Sequence, residues 1–230
     1  MTRRVAALAI AAGGILYAAW FLQWIVPTHL SPVTSYISEL SASDQPHHLI
    51  FRAGDLIAGS LLIIGSVAAL MSTPRSRWAI AGWSSLALFG ASSISDSQSP
   101  MRCAETASAH CARLGALDQL GLRDNLHTFT STGEDLFFGL TMFCLLMVAW
   151  RMGAPTRLRR VATTIAVLIA IAWAWTTVSA ARFELHHIDH LLGVAQRTEV
   201  TLIGVWLVLV SVAILRPEPA VSVRVPDSTY

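Results

Sequence analysis

The sequence predicts an all-α fold, a polytopic membrane protein built as a bundle of six transmembrane helices with the N and C termini in the cytoplasm. Three observations carry this. Six apolar segments, about 5–26, 50–71, 78–97, 131–150, 161–181 and 199–215, recur along the 230 residues. Most are long enough to cross a hydrocarbon core of about 30 Å as helices. Charge then alternates from side to side. Arg3, Arg4, Arg75, Arg77, Arg151, Arg157, Arg159, Arg160, Arg216 and Arg224 lie in the tails and in the second and fourth connections, opposed only by Glu218 and Asp227. The other side holds six arginines, all 8 histidines and the remaining 12 acids, so the positive-inside rule puts it outside. Composition agrees: only 13% of residues are charged and the mean hydropathy is +0.56, which leaves room for one membrane domain, 1–216, and a disordered cytoplasmic tail, 217–230. A multi-pass protein of the plasma membrane is expected.

Taken in order, the first segment follows Arg3 and Arg4 as a signal peptide would. Its apolar run of about 20 residues exceeds a signal core, and Pro27 stands where a small-residue cleavage site belongs, so it is read as a retained helix. In the first outer connection SPVTSYISELSA offers a Ser N-cap, a Pro at the first helical position, and Val33, Tyr36, Ile37 and Leu40 at helical spacing. An amphipathic surface helix is expected, with Ser35, Ser38 and Glu39 turned away from the membrane. Cys103 and Cys111 share the third connection, where an oxidising compartment favours a disulfide over two free thiols. Cys144 lies among Phe143, Leu145 and Leu146 and reads as packing. The stretch RFELHHIDHLLGVAQR before the last segment is either a second amphipathic piece or an extension of a span.

All 16 basic residues are arginine, so Schiff-base chemistry and a P-loop are excluded, and the dipolar charge distribution carries no nucleic-acid signal. Membrane lipids are the expected partners.

Depth narrows the candidates. Counting about 20 residues outward from the cytoplasmic end of each span, at 1.5 Å per residue, places Asp55, Asp96, Glu134, Asp135 and Glu199 just inside the outer boundary, with Arg52, Arg182 and Arg197 at the same level. Ionisable groups at such a depth normally turn inward and pair. Five carboxyls against three guanidiniums do not balance. His127, Ser131 and Glu134 form one stripe, and Arg52, Asp55 and Gly59 another. The functional reading is a polar pocket open to the outer leaflet, with His127, Asp96 and Glu134 as candidate catalytic groups. Arg52, Asp55, Asp135, Glu199, Arg197, Ser38 and Glu39 are candidate binding groups, and the segment around Tyr36 a cover. The plainer reading is a set of structural ion pairs, Arg52 to Asp55, Arg197 to Glu199 and Arg182 to Asp96. The spacing of His186 and His190, with His127 or a carboxylate as a third ligand, admits a divalent metal such as zinc. A membrane haem is not favoured, because no histidine lies deep in a span.

The succession SYISEL, RAGDLIAGSLLIIGS, SISDSQSPMRC, HTFTSTGED and QRTEV resembles the bacterial six-helix membrane proteins grouped as domain of unknown function 998. That grouping is itself distantly similar to the Frag1-like membrane proteins. The resemblance implies six helices and an outward set of short polar motifs, here Ser38, Glu39, Asp55, Asp96, His127 and Glu199, with Asp55 departing from an expected amide. A thinner similarity links Asp96, His127, Ser131, His186 and His190 to zinc-dependent membrane hydrolases of the ceramidase and adiponectin-receptor type. The chain departs from these in having six spans rather than seven and its HxxxH outside the last span. Three functions follow as expectations: binding or modifying a lipid head group, a structural or partner-binding subunit without catalysis, and proton-coupled transport.

Overall fold

In a computed structural model, which describes residues 1–117, 119–186 and 191–216, the chain is all-helical. The long helices are α1 (Thr2–Tyr17), α2 (His48–Ser72), α3 (Arg77–Gln98), α5 (Leu122–Arg151), α6 (Thr156–His186) and α7 (Leu192–Leu215), and α4 (Ala109–Ala116) is a short helix in a connection. Four of them, α2, α5, α6 and α7, are long and apolar enough to cross a membrane. At 16 residues α1 spans only about 24 Å. Its apolar run does not continue as α-helix to residue 26: it breaks after Tyr17 and tightens into a 3₁₀ turn, Ala19–Trp24, where the Trp20 indole donates to Thr201 Oγ1 at 3.0 Å. In α3 the serines at 84, 85, 92, 93, 95 and 97 and Asp96 lower the hydropathy.

The long helices pack in a closed ring: α1 on α2, α2 on α3, α3 on α5, α5 on α6, α6 on α7, and α7 back on α1. The α5–α6 seam is the thinnest. Elsewhere small residues let backbones touch. Gly59 of α2 meets Gly90 of α3 so closely that a Cβ at Gly90 would lie 2.6 Å from Gly59 O, and one at Gly204 would lie 2.8 Å from Gly14 O. Ile10, Leu62, Leu86, Phe89, Trp206 and Leu207 fill the centre. Leu8, Ile57, Ile64, Met71, Phe143, Ile171, Val178 and Val212 stay exposed around the outside, the inverse of a water-soluble surface and what a lipid environment requires.

The two ends differ. At one, the short connections carry arginines stacked on tryptophans: Arg77 and Arg151 against Trp78, and Arg159 over Trp150 at 4.8 Å. At the other, segments 18–47 and 99–121 fold over the bundle as a cap. Cys103 and Cys111 are joined there by a disulfide, and Cys144 is a buried free thiol.

The cap corrects the expected surface helix. Ser31 Oγ does accept from Val33 N and Thr34 N, but helix does not propagate; only a 3₁₀ turn, Ser38–Ser41, follows. Ser35 and Glu39, expected to turn away from the membrane, are buried, with Glu39 0% exposed. Glu39 Oε1 accepts from Thr106 N at 2.8 Å and Oε2 from the Thr106 hydroxyl, so an acid on the polar face was claimed by the second cap strand rather than by water. Asp44 accepts from Ala104 N, and Asp124 accepts from Arg102 N at 3.1 Å. Carboxylates thus satisfy backbone amides that no helix or sheet satisfies.

Candidate functional site

Beneath the cap lies a cavity of about 130 Å³. Every ring helix lines it: Tyr17 from α1, Asp55 from α2, Asp96 from α3, Ser131, Glu134 and Asp135 from α5, Thr176 from α6, and Gln196, Glu199 and Val200 from α7, with Ile37 and Ser38 of the cap above. Successive helices enter this level because each crosses it within about four turns of its capped end.

The carboxyls are held by hydroxyl, imidazole and indole groups. Glu134 Oε2 accepts from the Tyr17 hydroxyl at 2.9 Å, and Asp135 Oδ2 from the Trp173 indole at 3.2 Å. Asp96 Oδ1 accepts from Thr130 Oγ1 at 2.6 Å and Ser131 Oγ at 3.1 Å. His127 Nδ1 lies 2.9 Å from the same oxygen, in ion-pair range but oblique to a directed N–H bond. Glu199 is 5% exposed, and its Oε2 has no hydrogen-bond partner.

None of the three structural ion pairs forms. Arg52 Nε donates to Ser97 O at 2.8 Å rather than to Asp55. Buried Arg197 donates from Nη1 to Ser35 O at 2.8 Å and Gly193 O at 3.1 Å, and from Nη2 to Gln23 Oε1 at 2.9 Å, tying α7 to the cap instead of meeting Glu199. Arg182 is exposed on α6, while Asp96 is taken by Thr130, Ser131 and His127. Arg52 satisfies a carbonyl in the last turn of α3, where the helix leaves it without an intrahelical donor, and Arg197 satisfies Ser35 O of the cap.

Of the candidates, Asp55, Asp96, Ser131, Glu134, Asp135, Glu199 and Ser38 come together at the cavity. His127 stands behind Asp96, and Arg52, Arg197 and Glu39 lie outside the lining. Gly59 serves the α2–α3 contact instead of a polar stripe. The His186 side chain and His190 lie outside the described residues, and among the described residues no three His, Cys, Asp or Glu side chains stand in metal-holding geometry. Sequence reasoning missed Tyr17, Thr176, Gln196 and Trp173. The signal was available: a Tyr or Trp in a span needs a partner for its polar tip.

In the cap, burial pushes the Glu39 carboxyl above the usual range, with the Thr106 bonds pulling part of the way back. Burial raises Glu105 further, to about 7, with the charges of Glu184, Glu39 and Asp124 adding to it.

Below the cavity, aromatic rings close the bundle. Tyr17 packs on Phe89 at 4.9 Å, Phe89 on Phe138 at 5.4 Å, and Phe138 on Trp206 at 5.7 Å.

An all-helical ring with membrane-length helices, an apolar exterior and a polar chamber under one end is a polytopic membrane protein. The chain belongs to the family described as "Protein of unknown function (DUF998)", which matches residues 10–213. No curated protein and no solved structure matches it.

Proposed function

We propose that this protein spans the bacterial plasma membrane six times, with both termini cytoplasmic, and binds a lipid head group in the chamber under its outer cap. The observation that carries this reading is the cavity itself, lined by Asp55, Asp96, Glu134, Asp135 and Glu199 with no arginine among its lining residues. Glu199 is buried, Asp55, Asp96 and Glu134 are partly buried, and of these Asp96 has the His127 imidazole beside it. Carboxyls so placed are costly, and a ligand that supplies donors offsets that cost. For the spanning count, α1 with its 3₁₀ continuation and α3 complete a ring that the four membrane-length helices leave open. The arginine-tryptophan end supports a cytoplasmic assignment, opposite the disulfide. Transport is disfavoured by the aromatic tier from Tyr17 to Trp206, since a through-path needs polar groups beyond it. Should the head group be modified as well as bound, Asp96 backed by His127 is where a proton is exchanged.

The test is the phospholipid retained per chain after extraction in mild detergent. Wild type is expected to keep a stoichiometric lipid, and Glu134→Gln and Asp55→Asn to lose it while remaining folded. Equal retention in all three proteins overturns the reading and leaves a structural role.

A further inference from the structure

Resting on that reading, we propose that the occupant is a lipid with an amine head group, its ammonium among Asp55, Glu134 and Glu199 and its acyl chain in the groove between α1 and α2. The chamber does not end at its carboxyls. A second, apolar cavity of about 470 Å³ adjoins it, and the two share Tyr17, Ile37, Ser38 and Asp55 in their walls. The apolar walls include Leu16, Trp20, Leu49, Ile50 and Ile57, of which Leu49, Ile50 and Ile57 are exposed on the lipid-facing side of α2. A molecule polar at one end and apolar along its length fits such a continuous space, and a small hydrophilic solute fits only half of it.

Charge identifies the head. The chamber offers carboxylate acceptors; the donors of Tyr17, Thr130, Ser131 and Trp173 are already engaged with Glu134, Asp96 and Asp135, and the neutral Thr176 hydroxyl and Gln196 amide complete its wall. Glu199 lines the chamber in a side chain 5% exposed, its Oε2 making no directed hydrogen bond and facing the neutral Thr176 hydroxyl, with no cation beside it among the described residues. An ammonium group has donors and no acceptor, which complements this set. A phosphate or carboxylate placed at the same depth meets five carboxyls, with the His127 imidazole already turned to Asp96.

Gly54 supplies the means of testing the groove. It lies in the groove wall, and a Cβ added there meets nothing within 4 Å, so a larger side chain enters the groove without striking the protein.

Purified wild-type protein in detergent is titrated with lysophosphatidylethanolamine, its N-acetylated derivative and free ethanolamine, and the melting temperature is followed. The lyso-lipid should raise it saturably. Acetylation, which removes the charge, should weaken the effect at least about tenfold, as loss of a charge-assisted hydrogen bond does. Free ethanolamine should give no shift at the same concentrations. Gly54→Leu should weaken the lyso-lipid at least about tenfold with its ligand-free melting unchanged or raised, and Glu199→Gln or Asp55→Asn should do so from the polar end. Equal shifts from the amine and its acetylated form overturn the amine assignment while the lipid-binding reading stands. Free ethanolamine acting as tightly as the lipid, or Gly54→Leu behaving as wild type, overturns the groove. No shift from any lipid, with lipid retention also unaffected by Glu134→Gln, removes both readings together.

Discussion

The α2–α3 seam and the cap hold themselves together by opposite means. Between α2 and α3, Gly59 and Gly90 bring two backbones into contact without a cross-link, and polar bonds cross the seam toward its capped end, from Arg52 to Ser97 O and from Ser93 to Asp55 O. In the cap, a disulfide, the carboxylates of Glu39, Asp44 and Asp124 on main-chain amides, and Arg197 on Ser35 O tie together segments that bury only a small cluster of Leu30, Leu40, Phe51 and Ala104. In hydrocarbon the hydrophobic effect does not draw helices together, so close approach and dispersion must do so. Irregular segments with little core must instead satisfy every amide and restrict the unfolded chain. The contrast teaches that polar groups in this protein are concentrated where regular structure stops, and that the chamber lies at the boundary between the two regimes.

The largest effect is expected from Gly59→Leu, whose Cβ would collide with Gly90 O and force α2 from α3. A loss of about 3 kcal/mol or more is expected, read as a collapse of the folded fraction in detergent. Gly139→Leu on α5, where an added Cβ meets nothing within 4 Å, should melt close to wild type. If the two variants melt alike, close backbone approach is not what secures that seam.

Next comes the cap. Cys111→Ser opens a loop whose ends are 8 residues apart and should cost about 2–3 kcal/mol. It also frees Cys103, which an impermeant thiol reagent added to intact cells should then label. Labelling only after lysis would reverse the proposed orientation of the cap.

The smallest effect sharpens the cap's electrostatics. Glu105 titrates at about 7 in the folded protein, above the ordinary 4.5, because burial and then the neighbouring charges of Glu184, Glu39 and Asp124 disfavour its anion. Between those values the folded chain holds a proton that the unfolded chain has released, so stability should fall as pH rises from about 4.5 through about 7. Melting curves across that range should be flatter in Glu105→Gln. An unchanged slope would show that Glu105 is not the group responsible.

Much of the bundle was legible in the chain, and so was a polar layer near one end. Apolar runs of membrane length and carboxyls at a common depth are one-dimensional facts, and helices of fixed rise turn them into a shared level without knowledge of neighbours. The pairing Cys103–Cys111 was legible for a similar reason, since two cysteines 8 residues apart in one outer connection have little choice. Partner choice was not. Arg52, Arg182 and Arg197 stood at the depth of the acids, yet two of them found backbone carbonyls and none found a carboxylate, because the end of α3 and the cap presented open carbonyls nearer to them. Helical spacing turned Glu39 from the membrane without saying toward what, and Thr106, distant in sequence, made it a buried acceptor. Tyr17 carried no charge to draw notice, and only the closed ring, with α1 between α2 and α7, brings its hydroxyl across to Glu134 of α5 and its ring to Phe89 of α3. Depth follows from counting along one helix; contact requires several helices and an irregular cap to agree on one packing, and that agreement is a property of the folded ring alone.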